Sequence, residues 1–130
     1  MYLTVPEIIE AHMQIMESMG ESPTLLRSEH LLESAVMKPQ AAAHYARADL
    51  AEQAALLAVG ISQNQPFLDG NKRTAYASMK VFLAINGFRI DAGNLDIARQ
   101  LVAVAERDDS LDDATERFST WLRERLAPRG

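Results

Sequence analysis

Between Gln65 and Ala75 the chain reads Gln-Pro-Phe-Leu-Asp-Gly-Asn-Lys-Arg-Thr-Ala, which sets a turn, a carboxylate, a glycine and two cations directly before a helical pattern. This is chemistry for holding phosphate. Pro66 and Gly70 punctuate the end of one apolar helix, and another resumes at Asn71. The amides of Gly70, Asn71, Lys72 and Arg73 should therefore open a helix and leave up to about four donors at the positive end of its dipole. Gly70 lacks the Cβ that would block close approach. Phosphoryl or nucleotidyl transfer needs phosphates held, charge neutralised and a hydroxyl positioned. Asp69 can bind Mg²⁺ directly or through water. Lys72 and Arg73 supply charge, the arginine through a planar fork that fits phosphate oxygens. Asn71 would hold the loop through its amide, and Phe67 would anchor the turn in the core.

A plainer reading competes at each position. Asp69-Gly70 also suits an ordinary N-cap, Lys72 and Arg73 also suit solvent, and Phe67 also suits a core with no site above it. The joint order of these residues is what favours a site. Of the three histidines, His12 falls on the apolar side of the first helix, as a packed or hydrogen-bonded residue does. His30 and His44 sit among polar neighbours, and none has metal-ligand spacing.

Several elements must position this stretch. Thr4-Val5-Pro6-Glu7 is a capping box with an early proline, followed by Ile8, His12, Ile15, Met16 and Met19 at helical spacing until Gly20. Residues 21–27, with Pro23, read as a loop. Ser28 then caps a short helix through Leu31, Leu32, Ala35 and Val36 that should end before Pro39. Met37 to Ala48 support only an irregular or weakly helical stretch. From Asp49, the positions Leu50, Ala54, Leu57, Ala58 and Ile61 make an alanine-rich central helix. The helix after the loop presents Ala75, Met79, Phe82, Leu83 and Asn86 along one side and stops at Gly87. Phe88 to Asp91 alternate too briefly for a strand. Asn94 should cap a helix with Leu95, Ala98, Leu101, Val102 and Ala105 inward. The last helix should start at Ser110 with Ala114, Phe118, Trp121 and Leu122 inward. The charge runs Glu106 to Asp109 and Arg123 to Arg125 read as solvated surface.

The bulk numbers suit one domain. A chain of 130 residues with 48% hydrophobic content can bury a single core without staples, and it contains no cysteine for a disulfide framework. Eighteen acidic residues against thirteen basic ones give a net charge of −5, the wrong sign for a domain living on a nucleic-acid backbone. No stretch has the length of a membrane span, and the N-terminus lacks the pattern of a signal peptide, so a cytoplasmic protein is expected.

Phe67, Asp69, Gly70, Asn71, Lys72 and Arg73 meet the motif His-x-Phe-x-(Asp/Asn)-(Ala/Gly)-Asn-(Lys/Gly)-Arg at every position but the first, where Gln65 stands. At these residues the chain resembles the Fic/Doc family, and within it the death-on-curing (Doc) toxins. The similarity extends through Tyr2-Leu3-Thr4, Leu31 to Val36, Pro39-Gln40 and Phe82 to Gly87. The resemblance implies an all-α single domain over residues 1–130, a Fic/Doc-like bundle of about six helices. In the family, residues 37–48 correspond to a flap that helps dock the target segment. The nucleotidyl-transferring branch usually has glycine in place of Lys72 and a second arginine in place of Tyr76, so both departures favour Doc.

The resemblance then implies a toxin of a toxin–antitoxin pair. Such a protein kinase moves the terminal phosphate of ATP, with Mg²⁺, to a threonine of translation elongation factor Tu and stops translation. The expected partner is a Phd-like antitoxin whose C-terminal segment folds into a groove. Gln65, Asp69, Lys72 and Arg73 take the catalytic positions, Asp69 that of the metal ligand, and Gly70, Asn71, Lys72 and Arg73 the nucleotide-binding ones. Gln65 replaces the histidine that accepts the hydroxyl proton, and an amide has no pKa for that work. This chain is therefore expected to bind nucleotide and transfer little. Of two readings of the glutamine, the natural residue of a degenerate member is preferred to an inactivating substitution, for which alanine is the more usual choice. Protein adenylylation, a catalytically dead binding module and a helical bundle without a phosphate site are the competing readings.

Overall fold

The structure is a computed structural model that describes residues 1–22 and 26–129. Among the described residues it contains six helices and one two-stranded antiparallel sheet, in the order α1 (Val5–Ser18), α2 (Glu29–Ala46), α3 (Leu50–Asn64), α4 (Asn71–Ile85), β1 (Phe88–Ile90), α5 (Asn94–Ala105), α6 (Leu111–Arg123) and β2 (Leu126–Pro128). The expected all-α domain is observed. No helix among the described residues is long and apolar enough to cross a membrane. Of the expected loop at 21–27, residues 23–25 lie outside the described residues.

The capping box at α1 forms as expected: Glu7 accepts from the Thr4 amide at 2.9 Å, and the Thr4 hydroxyl accepts from the Glu7 amide at 3.4 Å. That start sets the helix phase so that Ile8, His12 and Met16 are buried. α3 is the central helix, buried along Ala51, Ala54, Ala55, Leu57, Ala58 and Ile61 and packed against α2, α4 and α6. Its small side chains let neighbouring backbones come close. A Cβ on Gly60 would stand 3.0 Å from the Cβ of Ala35 in α2, so glycine is what this crossing admits. Asp49 caps α3 by accepting from the Glu52 amide at 2.9 Å and also receives Arg123 of α6 at 2.6 Å. The hydrogen bond from that guanidinium holds the Asp49 carboxyl below its ordinary value.

Four expectations need correction. α2 does not end before Pro39 but continues to Ala46, with Pro39 buried inside it. A proline within a helix removes a hydrogen bond and strains the preceding turn. Here the packing of Leu32, Ala35 and Pro39 against the bundle outweighs that local cost. The irregular stretch expected between Met37 and Ala48 is therefore helical to Ala46 and ends at Arg47 in the left-handed region, φ +52°. In α5 the buried stripe is Ile97, Leu101 and Val104, while Leu95 and Val102 are 64% and 38% exposed. The buried side is the one packed against α3 and α6, which the helix's own spacing does not decide; its start also differs by one residue, with Gly93 at the cap and the Asn94 side chain accepting from the Tyr76 hydroxyl.

Phe88 to Ile90 do form a strand, paired antiparallel with Leu126 to Pro128. Three residues carry too little alternation to reveal it, and the partner lies almost forty residues away at the other end of the last two helices. The charge runs are only partly solvated: Arg123 bridges Asp49 and Glu52, and Arg107 donates to Gln63 at 3.2 Å.

Candidate functional site

α3 ends at Gln65, whose φ of +49° places it in the left-handed region, and its amide still donates to Ile61 at 3.2 Å. The carbonyls left open at this end are closed by Arg27, which donates to Gln65 O and Asn64 O, each at 2.8 Å. The amides of Arg27 and Ser28 both donate to Pro66 O, at 2.6 and 3.0 Å. The segment entering α2 thus clamps the turn that carries Gln65. Nothing local in the sequence signals this role for Arg27.

Phe67 is 2% exposed and lies flat on His12 of α1, with ring centroids 3.8 Å apart. His12 Nε2 donates to the carbonyl of Asp69 at 2.8 Å, so α1 holds both the base and the crest of the loop. Asn71 closes the loop from inside. Its Nδ2 donates to Phe67 O at 2.9 Å, and its Oδ1 accepts from the Phe67 amide at 3.0 Å. Gly70 follows with φ +78°, and a Cβ there would stand 2.9 Å from Met16 Sδ. Both the backbone conformation and the space therefore call for glycine.

α4 begins at Asn71 with no side-chain cap, and its first main-chain bond runs from Thr74 N to Gly70 O at 3.0 Å. The amides of Asn71, Lys72 and Arg73 have no hydrogen-bond partner among the described residues and stand at the positive end of the helix. Asp69 accepts from the Gly70 amide through Oδ1 at 2.7 Å, which leaves Oδ2 open. Lys72 and Arg73 are exposed and form no ion pair among the described residues.

A cavity of about 350 Å³ collects Gln65, Asp69, Gly70, Asn71, Lys72 and Arg73, with Met19 and Ser62 on its wall. Every polar residue expected at the site is therefore in one place, and Phe67 lies beneath it. Met19 and Ser62 were not expected there. The clefts of about 660 and 530 Å³ along α6 are wider, but Asp109, Asp113, Glu116 and Glu124 line the first, and Asp49, Glu52, Asp112 and Glu116 the second. Carboxylates on that scale repel a triphosphate, so charge rather than size selects the smaller cavity.

Residues 2–83 match the Fic/DOC family. The chain belongs to the Fic/DOC family. Among curated proteins, it is 41% identical over 93 residues to one named Toxin Doc from Mycolicibacterium smegmatis, covering 67% of this chain and 70% of the relative. The part matched to the family runs from the first helix almost to the end of α4. The clamp from Arg27, the support from His12 and the Gln65–Arg73 loop thus all lie within the Fic/DOC region.

Among the described residues, the hydroxyls of Ser62, Thr74 and Ser78 are buried and have no hydrogen-bond partner. Such groups keep their desolvation cost and gain nothing for it. Thr74→Val, which retains the branched shape, should therefore leave stability unchanged or raise it by up to about 1 kcal/mol in urea unfolding. A loss of more than about 1 kcal/mol would mean that the hydroxyl is engaged in the folded protein.

Proposed function

We propose that this Fic/DOC protein is a Doc-type toxin of a toxin–antitoxin pair whose site binds Mg²⁺ and ATP at the start of α4, and that Gln65 leaves it a poor transferase. The observation that carries this reading is the convergence, in one cavity, of three uncapped amides, Lys72, Arg73 and Asp69. Amides and cations of this arrangement suit phosphate oxygens. Asp69 offers an oxygen donor of the kind Mg²⁺ prefers, and the metal, when bound, would neutralise phosphate charge. Asn71 keeps the loop open through its two bonds to Phe67, and Gly70 lets the phosphates approach the main chain. Lys72 occupies space that glycine would leave for an α-phosphate, so the nucleotide enters with its terminal phosphate toward the acceptor.

The acceptor in this reading is a threonine hydroxyl of elongation factor Tu, and the partner is an antitoxin whose C-terminal segment folds onto the toxin. Support for the toxin assignment comes from the name of the mycobacterial relative. Gln65 faces the same cavity and can orient a hydroxyl through its amide, but it cannot take the proton. Thermal unfolding with ATP and Mg²⁺ tests the binding step. Ligand at about 100 times its dissociation constant should stabilise the chain by about 2.7 kcal/mol, and Arg73→Ala should remove most of that gain. An unfolding midpoint indifferent to ATP and Mg²⁺ would defeat the proposal.

A further inference from the structure

Toward the C-terminal end of α4, away from the triphosphate cavity at its start, a groove of about 290 Å³ lies between that helix and the two-stranded sheet. Leu83, Ala84, Phe88 and Ile90 form its apolar lining, with Lys80, Arg89 and Arg129 as its charged members. Among the described residues no carboxylate lines it. Asp91 stands 3.5 Å from Arg89 with both side chains largely in solvent, while Lys80 rests over the Tyr76 ring and the Arg129 guanidinium donates to the Ala84 carbonyl. Three cations gather here on a chain whose net charge is −5.

The sheet's hydrogen bonds define which backbone groups of β1 point toward β2 and which point away from it. Asp91 N donates to Arg125 O at 2.7 Å, and Arg129 N donates to Gly87 O at 2.9 Å. Antiparallel ladders alternate, so with the register Arg89↔Ala127 the bonded positions of this side are Gly87, Arg89 and Asp91. The main-chain groups of Phe88 and Ile90 must then point off the opposite edge of β1, and no other main-chain bond engages them among the described residues. The outer edge of β2 is a poorer template, because Pro128 has no N–H to give. Among the described residues one edge of the sheet is thus open, and Phe88, Arg89 and Ile90 of the strand that carries it line the groove.

We propose that the outer edge of β1 is a docking site for an extended segment of a partner protein in which acidic and apolar residues alternate. A strand added there continues the pleat. Its residues beside Phe88 and Ile90 turn toward the apolar lining, and those beside Arg89 turn toward the face shared by Arg89 and Arg129. Main-chain bonds to Phe88 and Ile90 supply register, and the cations select acidic side chains over basic ones. The site is independent of the triphosphate cavity and stands whether or not that cavity binds ATP.

The probe is a fluorescein-labelled Val-Glu-Val-Glu-Val peptide, with Val-Lys-Val-Lys-Val as its counterpart. It is followed by anisotropy and by amide hydrogen exchange on the full chain. The acidic peptide should bind and slow exchange at Phe88 and Ile90, while Arg89, already paired with Ala127, stays unchanged. Arg89→Glu with Arg129→Glu should weaken binding by about ten-fold or more. Ile90→Pro should abolish it, since the lost N–H points off the open edge and not toward β2. Equal binding of the basic peptide, or protection appearing elsewhere, would overturn the proposal. Protection of the two amides that grows with protein concentration in the absence of peptide would also overturn it, by showing a second copy on the edge. Should Ile90→Pro fail to fold, the exchange pattern of the unaltered chain decides.

Discussion

Gln65→His should raise phosphate transfer to the proposed acceptor, elongation factor Tu, by about 10² to 10⁴ over the chain as written, the span that a positioned general base contributes. The backbone is ready for the exchange. Position 65 has a φ of +49°, and histidine is among the residues enriched in that left-handed region. The conformation is held from outside by Arg27, which donates to the carbonyls of residues 64 and 65 and does not touch the side chain at 65. An imidazole would therefore project from the same anchored point into the same cavity, with a pKa near neutrality that the amide lacks. Label on the γ-phosphate of ATP should appear on the target. Label on the α-phosphate should not; its transfer would identify a nucleotidyl transferase and reverse the orientation argued from Lys72. No gain in an ATP-binding Gln65→His protein would show that the missing proton acceptor is not what limits the site. Ready turnover by the unaltered chain would show that no acceptor is needed.

What the sequence made readable was mostly local. The capping box at Thr4, the caps at Ser28 and Ser110, and the glycine at the start of α4 are all decided by a few adjacent residues, and all appear as expected. The contents of the cavity were readable for the same reason, since Gln65 to Arg73 lie on one turn and the first residues of the helix after it. What failed to show were decisions made across the fold. Pro39 argued for a helix end until its burial against the bundle is taken into account. β1 becomes a strand only because β2 returns beside it. Asn94 had the right type for a cap but gave its side chain to Tyr76. The supports of the site from α1 and from Arg27 are also distant in sequence, which is why His12 was readable as a packed residue but not as a prop beneath Asp69.

That prop makes Phe67 the residue on which fold and site both depend. Phe67→Ala should lower stability by about 3–5 kcal/mol in denaturant unfolding, as loss of a fully buried aromatic ring generally does. Two features place it toward the upper part of that span. The ring is stacked on His12 at 3.8 Å, so its removal opens a gap beside a buried polar side chain. The residue's main chain is also held at both N–H and C=O by Asn71, so relaxation into the gap would strain those two bonds. The surrounding structure can then neither collapse freely nor keep its contacts. The same substitution should cost the site more than the fold. If His12 shifts into the gap, its bond to Asp69 O loosens, and the carboxylate and Gly70 lose the geometry that faces the cavity. Phe67→Leu separates the two effects. It keeps much of the buried volume, so most of the stability should return, while the flat surface on which His12 lies does not. Stabilisation by ATP and Mg²⁺ in Phe67→Leu should therefore stay well below that of the unaltered chain at matched ligand concentration. Full recovery of both quantities would show that the ring acts by volume alone and that the stacked histidine does not position the loop.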